Sequence, residues 1–375
     1  MTKIYTALGI MSGTSLDGID FSIIQTDGED HLSLTNNNYL EFSNNLKQKI
    51  RSIKSKITST NECKKAIISD EYKELSNEIT MFHQEGMIQT VGYSGGRPID
   101  VIGFHGITLW HKPADRYTHQ IGDAKLLKKS IAKYKNLKNS EIIFNFREND
   151  ILNGGQGAPL TPLYHQLILN KIKLNPPLAL INIGGISNIS YMKGYDKIIG
   201  FDAGPGNYLI NKWIKLKANL EFDKDGIIAK SGKVNKDLLK KLLCDSYYKK
   251  KPPKSLDVKD FDFQRINQLS LQDGLATLSM LTVESIIMAI NSFEKYPNKI
   301  LVSGGGRKNK FIFNSIKKNI KSSMLLIDEF NFDGDFIESQ AFAYLAIRSY
   351  LKKYITYPNI TGVKKPSLGG TIFKS

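Results

Sequence analysis

The densest run of reactive residue types lies near the start of the chain, in Met11-Ser12-Gly13-Thr14-Ser15-Leu16-Asp17-Gly18-Ile19-Asp20. Ser12, Thr14 and Ser15 offer hydroxyls beside two carboxylates. Gly13 and Gly18 lack the Cβ atoms that would keep a ligand from the backbone N–H groups. Such a loop suits phosphate oxygens, and Asp17 or Asp20 could contact a magnesium ion. In nucleotide sites that ion keeps several waters and takes one or two protein carboxylates. The plainer alternative for Asp17-Gly18 is a hairpin turn. Two further strand ends break into glycine, at 184–188 (with Gly184 and Gly185) and at 304–309 (Gly304, Gly305, Gly306 and Asn309). One glycine turn is weak evidence. Three at the ends of apolar strands, divided between the two halves, argue for a phosphate clamp. Neither GxxxxGK[ST] nor a GxGxxG opening a first βα unit occurs, so P-loop and Rossmann dinucleotide binding do not fit.

The second candidate centre is Gly200-Phe201-Asp202-Ala203-Gly204-Pro205-Gly206-Asn207. The apolar run 198–201 predicts a strand, with Asp202 leaving it for a loop that Pro205 hands to a helix. A carboxylate held there by backbone donors, partly withdrawn from water, could serve as a general base. An N-cap or Asx-turn role is the structural alternative. His105 follows an apolar run and could contact a ligand, while most of the six histidines read as core or surface hydrogen-bonders. No HExxH occurs, which argues against a zinc site. Cys63 and Cys244, far apart and outside any CxxC, read as reduced thiols.

The elements that must carry these loops follow from periodicity. Residues 5–11 and 19–24 read as strands joined by the 12–18 loop, as do 99–104, 141–146, 178–183, 198–201 and 299–302. Helical patterning covers 70–91, 123–134, 272–293 and 338–352, and a further helix follows the glycines at 154–157, with Pro159 and Pro162 near its first turn. Strands interleaved with helices indicate an α/β architecture, and the opening hairpin makes its sheets mixed. The 249–254 segment, with Pro252 and Pro253, reads as a surface loop.

At 375 residues, 41% hydrophobic and 23% charged, the chain predicts two domains, not a disordered or disulfide-stapled protein. No stretch is expected to approach the roughly 20 apolar residues of a membrane span, and the chain reads as soluble and cytoplasmic. The net charge of +16 invites a nucleic-acid reading. The excess is almost all lysine, with only seven arginines, and it is dispersed in pairs such as Lys64-Lys65 and Lys128-Lys129. A solvated basic surface, or an anionic small substrate, suits that pattern better.

Taken in order, these blocks resemble the anhydro-N-acetylmuramic acid kinase family. The 11–20 run is similar to its opening signature. Further matching blocks are His105-Gly106, Trp110-His111, Gln120-Ile121-Gly122-Asp123, Gly154-Gly155-Gln156-Gly157-Ala158-Pro159-Leu160 and Asn182-Ile183-Gly184-Gly185-Ile186-Ser187-Asn188. Asp202-Ala203-Gly204-Pro205-Gly206-Asn207, Asp223-Lys224-Asp225-Gly226, the Gly304-Gly305-Gly306 turn and Glu338-Ser339-Gln340-Ala341-Phe342-Ala343 complete the set. The resemblance implies the two-domain fold shared by actin, hexokinase-like sugar kinases and the Hsp70 ATPase, with mixed sheets flanked by helices and an interdomain cleft. Its lobes are expected at 1–145 plus 356–375 and at 146–355.

It also implies ATP and Mg²⁺ as cofactors and anhydro-N-acetylmuramic acid as the small-molecule substrate. That sugar would be hydrolysed at its 1,6-anhydro bond and phosphorylated at O6, in cell-wall recycling. In that reading Asp202 is the base. Gly13, Thr14, Ser15, Leu16, Asp17, Gly18, Ile19, Asp20, Gly184, Gly185, Gly304, Gly305, Gly306 and Asn309 serve the nucleotide, with Asp17 and Asp20 toward the metal. His105, Arg147, Gly155, Gln156 and Glu338 serve the sugar. Neither nucleic acid nor membrane is an expected partner, and a homodimer is compatible with the resemblance. Two departures touch the sugar side. The family's Asp-Phe-Arg-Arg-Arg-Asp run here reads Asn145-Phe146-Arg147-Glu148-Asn149-Asp150, and its His-Gly-Gln reads His105-Gly106-Ile107. The alternatives are a kinase of another amino or anhydro sugar, or a nucleotide-switched interaction protein of the actin or chaperone type.

Overall fold

The computed structural model describes residues 2–13, 16–195, 197–256 and 266–373. The chain forms two compact units, Met1–Leu167 with Glu338–Ser375, and Ile168–Ile337.

The first unit is built on a six-stranded sheet ordered β13-β7-β4-β1-β2-β3. Its strands are β1 (Tyr5–Met11), β2 (Gly18–Thr26), β3 (Leu32–Glu41), β4 (Val101–Phe104), β7 (Glu141–Phe144) and β13 (Thr371–Ile372). The first three run antiparallel, β4 and β7 join parallel, and β13 closes the edge antiparallel to β7. A separate hairpin pairs β5 (Ile107–Lys112) with β6 (Tyr117–Ile121). The second unit carries β8 (Leu178–Ile183), β9 (Ile186–Gly194), β10 (Lys197–Pro205), β11 (Lys299–Ser303) and β12 (Ser323–Leu326), ordered β10-β9-β8-β11-β12. Again three antiparallel strands are followed by two parallel ones. Two mixed sheets of matching strand order, each flanked by helices, give the mixed α/β architecture expected from the sequence.

Each unit has its own apolar core. In the first, the helix Asp70–Tyr93 lays Gly86 flat against the ring of Phe21, where any added Cβ would overlap the ring. In the second, the helix Leu271–Asn291 starts at an N-cap, Ser270, whose hydroxyl accepts the Asp273 N–H at 3.1 Å. Near that start Gly274 fits beneath the fully buried Trp213, whose indole donates to the Leu271 carbonyl at 3.1 Å. This 21-residue helix corrects the expectation about apolar stretches: its mean hydropathy of 1.4 and its length suffice for a bilayer span. Yet 78% of its apolar window is buried in the unit, the mark of a core helix.

The unit boundaries also differ from those expected. The helix Ile337–Tyr350 packs across β1 and β4, where a Cβ on Gly9 would overlap the Ser339 carbonyl and one on Gly103 the Phe342 carbonyl. Backbone approach that close ties this helix to the first sheet, and Asp150 ties the 148–157 stretch to Thr361 in the same unit by a 2.6 Å hydrogen bond. Both segments had been expected in the second lobe.

β10 departs from the sequence reading as well. It runs on through Asp202 to Pro205, so Asp202 lies inside a strand that bulges just beyond it. The strand is at the sheet edge, where proline removes no ladder bond. The predicted helix after the 154–157 glycines begins at Pro162. β3 went unpredicted because Asn36, Asn37 and Asn38 interrupt it, residues depleted in strands. All three amides are engaged here: Asn37 accepts from Ser22 at 2.7 Å, while Asn36 and Asn38 donate to Thr90 at 3.1 and 3.2 Å.

Candidate active site

In the first unit, β1 and β2 pair from Tyr5↔Thr26 up to Met11↔Asp20 and leave the signature run as their turn. Thr14 and Ser15 lie outside the described residues. The Ser12 hydroxyl is buried and donates to the Gly18 carbonyl at 2.9 Å, drawing the two arms of the loop together. Leu16 sits at a φ of 59° with its side chain buried, and its N–H reaches the Gly13 carbonyl at 3.4 Å. Gly18 touches β3: a Cβ there would overlap the Leu40 carbonyl. Ile19 is wholly buried in the core, so only its backbone can serve a ligand. Asp17 is exposed and Asp20 half-buried. The Tyr39 phenol, paired across from Asp20, is raised above its ordinary value by burial and then by the charges of Asp17, Glu41 and Asp20. That negative field suits a hydrated divalent cation with one or two carboxylates near it. Among the described residues no cluster of three or more histidine, cysteine or acidic side chains is set to hold a metal alone.

The sugar-side candidates of the same unit come together. His105 follows β4 and is buried; its Nδ1–H donates to the Gly106 carbonyl at 2.8 Å, leaving Nε2 to accept the Arg147 Nε–H at 2.9 Å. Burial, followed by the Arg147 charge, holds the imidazole well below its usual value, so it is neutral. Arg147 also donates through Nη1 to the Gly157 carbonyl at 2.7 Å. Burial lifts the Glu338 carboxyl above its usual range, and the Arg147 charge pulls it back down. Arg147 therefore links the electrostatics of His105, Glu338 and the glycine loop.

That loop is shaped by Asp150, which is fully buried. Its Oδ2 accepts the Gly157 N–H at 2.7 Å, and a Cβ on Gly155 would overlap the same carboxylate. The Gln156 carbonyl accepts from His111 Nε2 at 3.0 Å and its N–H donates to the Thr361 carbonyl at 2.7 Å. Burial, followed by Arg147, lowers the His111 imidazole to about 3.

In the second unit, Gly184-Gly185 is the tight turn between β8 and β9. Its carbonyls accept from Gly206, Asn207 and Tyr208 at 2.8–3.2 Å, pinning the segment after Asp202 onto the turn. Gly206 must be glycine, since a Cβ would overlap the Gly184 carbonyl. Asp202 is 6% exposed, donates its N–H to the Lys254 carbonyl at 3.0 Å and accepts the Leu256 N–H on Oδ2 at 2.9 Å. The Tyr247 hydroxyl donates to its carbonyl oxygen. Lys254, whose ammonium burial lowers and Asp202 raises, lies over the Tyr247 ring at 4.5 Å.

Register then places a polar row across this sheet that the sequence reading did not single out: Asp202↔Asn188, Asn188↔Asn182 and Asn182↔Ser303. The Ser303 hydroxyl donates to Asn182 Oδ1 at 3.1 Å, and Gly304, at a φ of 79°, brings its backbone against the same oxygen. The available signal was two asparagines inside otherwise apolar strands, flanking a glycine turn. Gly306 packs on Ile183, whereas Gly305 has open space where a Cβ would stand. Arg307 fastens this turn, gripping Asp328 with two 2.8 Å bonds and Asp335 with one of 2.6 Å. Asn309 caps the helix Lys310–Asn319, its oxygen accepting the Ile312 N–H at 3.1 Å.

The family model described as anhydro-N-acetylmuramic acid kinase matches residues 5–375. A protein of that name from Pelagibacter ubique (strain HTCC1062) is 40% identical over 385 residues, spanning 100% of both chains. Another, from Zymomonas mobilis, is 36% identical over 372 residues, 98% of this chain and 99% of the relative. A ROK family glucokinase from Streptomyces griseus, solved with glucose and AMPPNP, aligns over 91% of this chain and 99% of its own at TM-score 0.42 and 11% identity. Matched from residue 5 to its last and aligned end to end with relatives of that name, the chain belongs to the anhydro-N-acetylmuramic acid kinase family.

Proposed function

We propose that this chain runs its family's reaction, the ATP-dependent opening and phosphorylation of anhydro-N-acetylmuramic acid, with Asp202 as the base. The observation that supports this most is the setting of Asp202. It is a carboxylate 6% exposed, anchored by a backbone N–H on Oδ2, on the last regular rung before a bulge, beside the glycine turn.

In the reaction, Asp202 takes a proton from water, and the water oxygen bonds to the anomeric carbon. The C1–O6 bond breaks with its electron pair staying on O6. O6 then attacks the γ-phosphorus, and ADP leaves with the electrons of the broken phosphoanhydride bond. The product is N-acetylmuramic acid 6-phosphate. Because one oxygen is both leaving group and nucleophile, a single bound geometry serves both steps.

The phosphates fall to the backbone of the Gly13, Thr14, Ser15, Leu16, Asp17, Gly18, Ile19 and Asp20 turn and of Gly184-Gly185, and the adenosine side to Gly304, Gly305, Gly306 and Asn309. Asp17 and Asp20 are the residues that would hold Mg²⁺, which supplies charge neutralisation at the phosphates when bound. Arg147, His105, Glu338, Gly155 and Gln156 orient the sugar. A neutral His105 and the buried Glu338 carboxyl, which burial raises, can both share hydrogen bonds with hydroxyl or amide groups. The proposed setting is the cytoplasm.

Mass spectrometry of the product made in ¹⁸O-water tests the reading. One water and one phosphate are gained, with the heavy oxygen at C1. Label on the phosphate instead overturns the mechanism.

A further inference from the structure

Asn188 is 8% exposed, and its side-chain oxygen has no hydrogen-bond partner among the described residues. Buried carbonyl-type oxygens are nearly always satisfied, and leaving one unmade costs stability. A buried orphan on the rung beside the proposed base therefore calls for a ligand group. Asn188 pairs directly with Asp202 on one side and with Asn182 on the other. Directly opposed residues of an antiparallel pair project to the same sheet face, with Cβ atoms about 4.5–5.5 Å apart. One water donating two O–H···O bonds of about 2.7 Å at its bent angle bridges acceptors roughly 4.3 Å apart, a separation that side chains on directly opposed positions of one face can present.

An attacking water has a further requirement. Its lone pair must face the carbon, so both of its O–H groups must point elsewhere, each toward an acceptor. Asp202 supplies one acceptor. We propose that Asn188 supplies the other, its oxygen accepting a hydrogen bond from the O–H that the water keeps while Asp202 removes the second proton. Asn182 is less suited to this part, because it stands on β8, two strands from Asp202, and its Oδ1 is already engaged by Ser303 at 3.1 Å. The inference rests on Asp202 being the base. It adds a second group that touches the reacting water and fixes the direction of attack.

The test compares Asn188→Leu, Asn188→Ala and Asp202→Asn with the wild-type chain under saturating Mg-ATP. Both Asn188 variants should lose 10- to 100-fold in kcat, with KM for ATP and for the sugar within threefold of wild type. One ADP should still form per sugar phosphate. The Leu variant fills the same space with an apolar side chain and removes a buried orphan, so its Tm should equal or exceed that of the wild type. A merely structural asparagine would give the reverse pattern, a lowered Tm with normal kcat in the folded fraction, and that result overturns the proposal. So does a kcat within threefold of wild type in both Asn188 variants. Should the Leu side chain prevent folding, the smaller Ala variant carries the same kinetic readout. If Asp202→Asn itself turns over like wild type, the base assignment fails; if only the Asn188 variants do, this inference alone fails.

Discussion

The two sheets share strand order yet spend their central hairpins differently. In the first unit β1 and β2 are joined by residues 12–17, a turn carrying hydroxyls and a carboxylate, whose charge adds to burial in raising Tyr39. In the second, β8 and β9 are joined by little more than Gly184-Gly185, so no side chain projects from the turn and the polar groups sit on the strands beneath it. The same ladder thus presents charge at its tip in one unit and a row of amides with one carboxylate in the other. A strand scaffold fixes where a ligand can sit, and turn length decides whether side chains or backbone meet it.

The contrast can be broken at several points. Replacing Asp202 by Asn should cost about 10³-fold or more in kcat while leaving the fold intact, because the amide oxygen can still accept the Leu256 N–H. Steady-state kinetics alongside circular dichroism check both halves of that statement.

Acid should separate the units next. All six histidines lie in the first unit. Burial lowers His83 and His119 to about 4, and His111 and His165 to about 3, and it also lowers His105. Their folded values lie below the unfolded one, so the unfolded chain binds more protons. The stability they confer is complete above about pH 6.5 and drains as pH falls toward 4, at about 1 kcal/mol each by pH 5.5. Glu338 has the opposite sign, being raised, and offsets part of this loss. Hydrogen exchange at pH 5 should show the first unit opening before the second; equal protection in both would remove the contrast.

Arg147→Ala strands the His105 and Gly157 acceptors. It should lower stability by about 2–3 kcal/mol and raise KM for the sugar more than for ATP, measured by denaturant melts and initial rates. Gly18→Ala should cost about 1–2 kcal/mol and weaken nucleotide binding, because the added carbon displaces the β2–β3 edge beneath the phosphate turn; calorimetric titration with an ATP analogue reads it.

The sequence disclosed the strands that end at the site, because glycine-terminated apolar runs are hard to mistake. It also disclosed the long core helices and the Gly184-Gly185 turn, but not that the 249–254 stretch, read as a surface loop, would lie against Asp202. It did not disclose β3, whose asparagines are rescued by Ser22 and Thr90 from elsewhere in the chain. Nor did it place Asp202 inside β10, since a bulge leaves no mark in hydrophobic pattern. Asn188 stood in plain view within a matched block, but its pairing with Asp202 is a matter of register. Register emerges only when three strands are assembled together.

The indole of Trp213, packed on Gly274, has one further use. The chain's other tryptophan, Trp110, lies in the first unit, 8% exposed and donating to Thr60 at 2.9 Å. Each half of the molecule thus contains a single tryptophan in a buried, hydrogen-bonded niche. Removing one by substitution with phenylalanine turns the other into an optical gauge of its own half, with no label attached.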